Sequence, residues 1–296
     1  MASDAAPTVW ERVMALFDPA SLLYRSSFEY FRTCLEAVFL RGELLSPIFR
    51  TGRLRDEAFG RFWLKFSAVD PDAPPQTPHA SSALIPPLLA RASGVVLDIG
   101  PGSGTQMPLL QNSPAIRTIY GAEPCVGLHN ELRSRILAAN LQDKYRILTC
   151  GAEKQTLIPA LQKAGVDVPS VEDKEKSGGV FDTILCVRVL CSVPDPERTI
   201  ADLYDLLKPG GQILVTEHVV NPWRRPKGSV VARLAQVIYE LLGWRFFMGD
   251  CSLNRDTAKW LRQAAEKDGG WEVDELEEHF WWSPINYISG RLVKKA

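Results

Sequence analysis

The sequence predicts an α/β protein: a mostly parallel sheet with helices on both faces, preceded by a helical N-terminal cap. Three observations predict it. From residue 95, short β-branched runs alternate with stretches of helical periodicity, the rhythm of parallel strands joined by crossover helices. The first of those runs ends in an acid followed by three alternate glycines, the composition of a tight strand-to-helix turn. Ahead of it, residues 8–66 place apolar side chains at helical spacing. The 296 residues are 46% apolar and 23% charged, which provides for a large core and excludes a disordered chain.

Each element follows from its local pattern. In the cap, Tyr24, Phe28, Phe31, Leu35, Val38 and Phe39 form an apolar stripe, with Arg25, Glu29, Arg32 and Glu36 on the opposite face. A second helical patch over 54–66 carries Phe59, Phe62, Trp63 and Phe66, and both patches are expected to pack as core. Six prolines between 70 and 90 forbid a continuous helix there. The division expected is therefore a cap over 1–69, a proline-rich connector over 70–90 and a main domain over 91–296. In that domain strands are expected at 95–99, 118–121, 146–149, 181–187 and 212–216, with helices near 105–112, 126–140, 153–164 and 197–207. The small, charged stretch 169–179 reads as an exposed insertion, and Leu-Lys-Pro-Gly-Gly at 207–211 as the stop of a helix before a strand. The chain ends with a helix near 255–267 and strands at 271–276 and 286–294.

One segment stands apart. Over 229–247 the polar residues Ser229, Arg233, Gln236 and Glu240 form a single narrow stripe in an otherwise apolar helix. Burial in the core or over a greasy pocket is the first expectation. Peripheral membrane contact through 223–247 is the second, because a basic, aromatic approach (Trp223, Arg224, Arg225, Lys227) precedes the helix.

Charge and cysteine usage exclude other classes. Lys and Arg total 34 against 35 Asp and Glu, a net charge of −1, so no global attraction to a phosphate backbone exists and nucleic acid is not an expected partner. No apolar run approaches the ~18 residues of a membrane span, and residues 1–10 lack the pattern of a secretory signal. Six dispersed cysteines without a CxxC pair argue against a disulfide framework or a structural zinc site, and no metal is expected. The expected location is cytoplasmic.

The motif carrying the chemistry is Asp98-Ile99-Gly100-Pro101-Gly102-Ser103-Gly104. Glycines let the backbone turn sharply and let a ligand approach the main chain, and a helix N-terminus offers N–H groups to a carboxylate. Thr105 stands where the dinucleotide fingerprint has its last glycine, which disfavours an NAD-linked oxidoreductase. Glu123, nineteen residues past Gly104, ends the second strand, where an acid accepts both hydroxyls of a ribose.

At these residues the sequence resembles the class I S-adenosylmethionine-dependent methyltransferases of the ubiquinone/menaquinone type, over roughly 90–296. Its most specific stretch is 181–219, whose VLCSV, ER, LKPGG and EHV elements, with Gly249-Asp250-Cys251-Ser252-Leu253-Asn254-Arg255 downstream, look like the methyltransferase-like seven group. That group's animal members are thiol S-methyltransferases with a hydrophobic N-terminal anchor where this chain has its helical cap. The resemblance implies a Rossmann-like, seven-stranded sheet whose last strand is antiparallel. It implies S-adenosylmethionine as cofactor, with Asp98, Gly100, Gly102 and Gly104 holding the methionine part, Glu123 the ribose, Ala152 and Glu153 the adenine, and Cys186 lying beneath the sulfonium. The partner expected is a small, apolar acceptor: a thiol, or an oxygen or nitrogen of a specialised metabolite. A non-catalytic cofactor-binding or scaffolding protein of the same fold is the alternative.

Two candidate catalytic residues follow. His218, just past the tip of the fifth strand and beside Glu217, is the base available to an acceptor that must lose a proton, or else a strand cap bonded to backbone. Arg188, on the rim of the fourth strand, either orients an anionic substrate or pairs with an acid such as Asp195.

Overall fold

The computed structural model describes residues 7–68, 80–111, 113–168 and 179–296. Four helices come first: α1 (Val9–Ala15), α2 (Asp18–Phe39), α3 (Ser46–Phe49) and α4 (Thr51–Phe66). Then follow α5 (Ile85–Leu89), β1 (Gly94–Ile99), α6 (Met107–Gln111), β2 (Ile116–Ala122), α7 (His129–Ala138), β3 (Tyr145–Leu148), α8 (Lys154–Lys163), β4 (Phe181–Val187), α9 (Pro196–Leu206) and β5 (Leu207–His218). The chain ends with α10 (Val230–Leu241), α11 (Trp244–Phe247), α12 (Thr257–Ala264), β6 (Val273–Asp274), β7 (Glu277–His279) and β8 (Tyr287–Val293). Of the proline-rich connector, the part up to residue 79 lies outside the described residues, as does the 169–178 insertion.

The described chain forms two compact units. The sheet unit holds 80–219, 256–279 and 287–296. Its strand order is β3-β2-β1-β4-β5-β8-β6, with β7 also on β8. β3, β2, β1, β4 and β5 are mutually parallel, and β8 runs antiparallel to β5. The expected α/β class is therefore observed, and the order reverses between β1 and β4, where sheets of this kind open a crevice at their carboxyl ends. Helices cover both faces because both are apolar. Val96, Ile119, Leu185 and Leu214 pack with Leu89, Leu110 and Leu132 on one side. Leu97, Ile99, Ile184 and Val215 pack with Leu157, Leu161 and Leu203 on the other.

The expected seven strands become eight, because the edge strand is broken. β6 and β7 both pair with β8, and between them the Asp274 carboxylate takes the Leu276 N–H at 3.1 Å while the Glu275 N–H bonds Arg291 O. Strand β5 also begins earlier than expected. Leu207 already pairs with Phe181 of β4, residues 208–211 fall in the register shift before Gln212 pairs with Thr183, and Gly210, at φ +72°, lies within that irregularity.

The helical unit holds 7–68, 220–255 and 280–286. Capping fixes its ends: Thr8 and Glu11 form a capping box on α1, and the Ser229 hydroxyl accepts the Ala232 N–H at the start of α10. Gly243, at φ +90°, divides the expected 229–247 helix into α10 and α11. The expectation that this helix is buried fails for α10, whose polar Gln236 is fully buried while Leu234 and Leu241 are exposed. The apolar stripe of α2 is also not core, since Tyr24, Phe28, Phe31, Leu35 and Phe39 all face outward. Among the described residues no helix is long and apolar enough to cross a membrane.

Candidate active site

The glycine turn and the acid of the second strand meet directly. Gly100, Gly102 and Gly104 have φ values of +59°, +60° and +82°, a left-handed run that side chains with a Cβ disfavour. Glu123, buried one residue beyond β2, accepts the Gly102 N–H at 2.8 Å with Oε2 and the Cys125 N–H at 2.8 Å with Oε1. Each oxygen accepts one main-chain N–H, and a carboxylate offers about four lone-pair positions, so two remain for hydroxyl donors. Burial raises the Glu123 carboxyl above its ordinary range, against the lowering effect of the two N–H groups.

Asp98, buried at the end of β1, accepts the Tyr145 hydroxyl at 2.8 Å with Oδ2. Desolvation pushes it up to about 7; the Tyr145 bond works against that and the nearby Glu123 charge works with it. Gly121 lies directly opposite Asp98 in the parallel register, and a Cβ there would stand 2.2 Å from the Tyr145 hydroxyl. The missing side chain is what lets Tyr145 reach across from β3. Tyr145 is thus a site residue that the sequence motif did not reveal.

The remaining expected cofactor residues lie at the same carboxyl ends. Ala152 is buried in the same core cluster as Leu157, and Glu153 is the N-cap residue of α8. Cys186 pairs with Ile99 across β1 and β4 and is fully buried, and burial drives its thiol well above the ordinary range.

A second cluster closes the ends of β4 and β5. Glu217, fully buried and not singled out by the sequence, accepts the Val189 and Leu190 N–H groups at 2.7 and 2.8 Å through Oε1. Its Oε2 is buried and has no hydrogen-bond partner among the described residues, and desolvation pushes the group up to about 8. The loop it holds carries Arg188 at φ +58°, a strained conformation for a side chain of that size. The guanidinium donates to the Ser81 and Ser82 hydroxyls at 2.8 and 3.0 Å and lies 5.8 Å from the Tyr287 ring centre. Asp195 is not its partner. That carboxylate instead caps α9, accepting the Arg198 N–H at 3.2 Å.

His218 is the last residue of β5, buried, with its ring edge-on to Tyr287 at 6.1 Å and a ring nitrogen within 4.8 Å of the Cys191 sulfur. Burial works against its charged form, but Cys191 and Glu217 outweigh burial, so His218 titrates above its ordinary value. The two clusters are therefore adjacent along the carboxyl ends of β1, β4 and β5, with Val189 between them. A Cβ on Gly100 would stand 2.4 Å from the Val189 side chain.

A mostly parallel sheet with a left-handed glycine turn after β1, and acids at the adjacent carboxyl ends of β1 and β2, has the arrangement of a Rossmann-like crevice. Residues 75–280 match the family model described as a methyltransferase domain, and the chain belongs to that family. It is 29% identical over 130 residues to human thiol S-methyltransferase TMT1B, an overlap of 44% of this chain and 50% of that protein. It is also 29% identical over 213 residues to the ubiquinone biosynthesis O-methyltransferase of Xanthomonas euvesicatoria, covering 68% of this chain and 77% of that one. The chain thus spans about half the length of the thiol methyltransferases it matches. Among solved structures, the cyclase SpnF shares the fold with a TM-score of 0.52 at 16% identity, over 83% of this chain and 96% of that one.

Proposed function

We propose that this protein transfers a methyl group from S-adenosylmethionine to a small, apolar acceptor: a thiol, or an oxygen or nitrogen of a specialised metabolite. The observation that carries this reading is the Glu123–Gly102 hydrogen bond, which ties the ribose-binding acid to the turn that approaches the methionine end. When bound, the cofactor supplies an electrophilic methyl group on a sulfonium. Asp98 and the main chain at Gly100, Gly102 and Gly104 would hold its methionine part. The remaining lone pairs of Glu123 would take the ribose hydroxyls, Ala152 and Glu153 would border the adenine, and the Cys186 segment would face the sulfonium.

On the acceptor side the protein's task is alignment, with the reacting atoms held ~3–3.5 Å apart. A thiol, with an ordinary pKa of about 8.5, ionises appreciably near neutrality and needs little help. An oxygen or nitrogen acceptor draws on His218 to take its proton. Arg188, whose buried Nε has no partner among the described residues, orients a polar end of the acceptor.

Incubation with methyl-labelled S-adenosylmethionine and a panel of alkyl thiols, phenols and amines tests the reading. Labelled product is expected in at least one class. A thiol product formed equally by His218→Asn removes the histidine from the chemistry, whereas a phenol or amine product lost in that variant assigns it as the base. Cofactor binding without turnover across the whole panel favours the non-catalytic alternative.

A further inference from the structure

Two helices of the helical unit carry their polarity inside out. On α10, Val230, Val231, Leu234, Ile238 and Leu241 are between 46% and 82% exposed, at spacings that set them on one face. Its polar side chains turn toward protein instead. Gln236, fully buried, accepts the Asn221 N–H and donates to Pro284 O and Asn286 Oδ1. Glu240 accepts from the Ser252 hydroxyl and the Leu253 N–H, and Arg233 reaches Asn254. On α2 the buried residues include Ser26, Glu29, Thr33 and Ala37, while Tyr24, Phe28, Phe31, Leu35 and Phe39 are 56% to 76% exposed. A helix that faces water has the opposite arrangement.

The stripe on α2 also borders an open groove of about 270 Å3 against α4, walled by Tyr24, Phe28, Phe62 and Phe66, with Arg25 and Lys65 among its lining residues. These are not scattered apolar residues but ordered faces, which mark an interaction surface.

Charge identifies the occupant. Over 7–68, 220–255 and 280–286 the unit has 15 Lys and Arg against nine Asp and Glu, although the whole chain is −1. Immediately before α10, Trp223, Arg224, Arg225 and Lys227 are all exposed, with the Arg224 guanidinium 4.6 Å from the Trp223 ring centre. Tryptophan and basic side chains beside an apolar helical face are the makeup of a helix lying in a membrane interface. A second copy of this chain would set two positive surfaces against each other.

We propose that the helical unit binds the surface of an anionic lipid bilayer, with the outward face of α10 in the acyl boundary, residues 223–227 among the headgroups and the α2 stripe as a further contact. Lipid binding needs neither cofactor nor turnover, so it is read with no methyl donor present. The full chain is floated with vesicles of phosphatidylcholine alone and of phosphatidylcholine with phosphatidylserine. It is expected to float with the second, less so as salt is raised. Replacing Arg224, Arg225 and Lys227 by Glu is expected to lower the partition coefficient on the order of a hundredfold, from roughly tenfold or less per basic residue. The variant L234S/I238S/L241S is expected to stay at the bottom; those side chains are exposed, and circular dichroism checks that the helices persist. Three results would overturn the proposal: no flotation with either vesicle, flotation unchanged by both sets of substitutions, or a dimer in light scattering that L234S/I238S/L241S dissociates.

Discussion

Glu217, the first residue of the EHV element, shows how one buried side chain shapes the loop after β4 in a way the motif alone does not announce. Its Oε1 holds two main-chain N–H groups of the loop that carries Arg188, and its Oε2 has no described partner. Desolvation raises it from 4.5 to about 8, so the folded state retains a proton that the unfolded chain releases. Stability from this group is fully present below about pH 4.5 and is lost as pH rises through about 8. Urea midpoints are therefore expected to fall over that interval, and Glu217→Gln, which keeps a neutral acceptor for both N–H groups, flattens part of the fall. Asp98, raised to about 7, accounts for a remainder. An unchanged slope in Glu217→Gln would contradict this assignment. Asp98, the three glycines and Glu123 were legible because their pattern is local. Glu217 and Tyr145 were not, because their roles depend on contacts across the sheet and on the register that sets Gly121 opposite Asp98.

At the scale of elements, alternation and turn chemistry made β1 to β5 and their helices legible to within a few residues. The edge strand was misread as one piece because the capture of the Leu276 N–H by Asp274 leaves no mark on apolar periodicity. Helices α2 and α10 were read correctly as helices and wrongly as core. An apolar stripe reports that a face avoids water, and it says nothing of whether protein or lipid covers it. The ends of α9 give a sharper test. Asp195 accepts the Arg198 N–H and does not pair with Arg188, so Asp195→Ala is expected to cost about 1 kcal/mol of stability through the lost cap. Thermal unfolding reads that loss, and steady-state kinetics on the accepted substrate is expected to show KM unchanged. A raised KM with unaltered stability would restore the Arg188 pairing.

Across the whole molecule, composition fixed the class and concealed the division. A net charge of −1 averages a positive helical unit with an acidic remainder. The return of 220–255 and 280–286 to the helical unit rests on contacts remote in sequence, among them Asn221 with Trp281 and Tyr239 with Leu16. The sheet unit alone carries the proposed adenosyl site, in which the turn at 98–104 meets the acid at 123. Calorimetric titration with S-adenosylhomocysteine and with NADH, into the wild type and Glu123→Ala, tests it most directly. S-adenosylhomocysteine is expected to bind and NADH is not, and Glu123→Ala is expected to weaken binding about 10- to 100-fold, the worth of hydrogen bonds to a charged group. Binding of NADH with no affinity for S-adenosylhomocysteine, or equal affinity in the wild type and the variant, would contradict it.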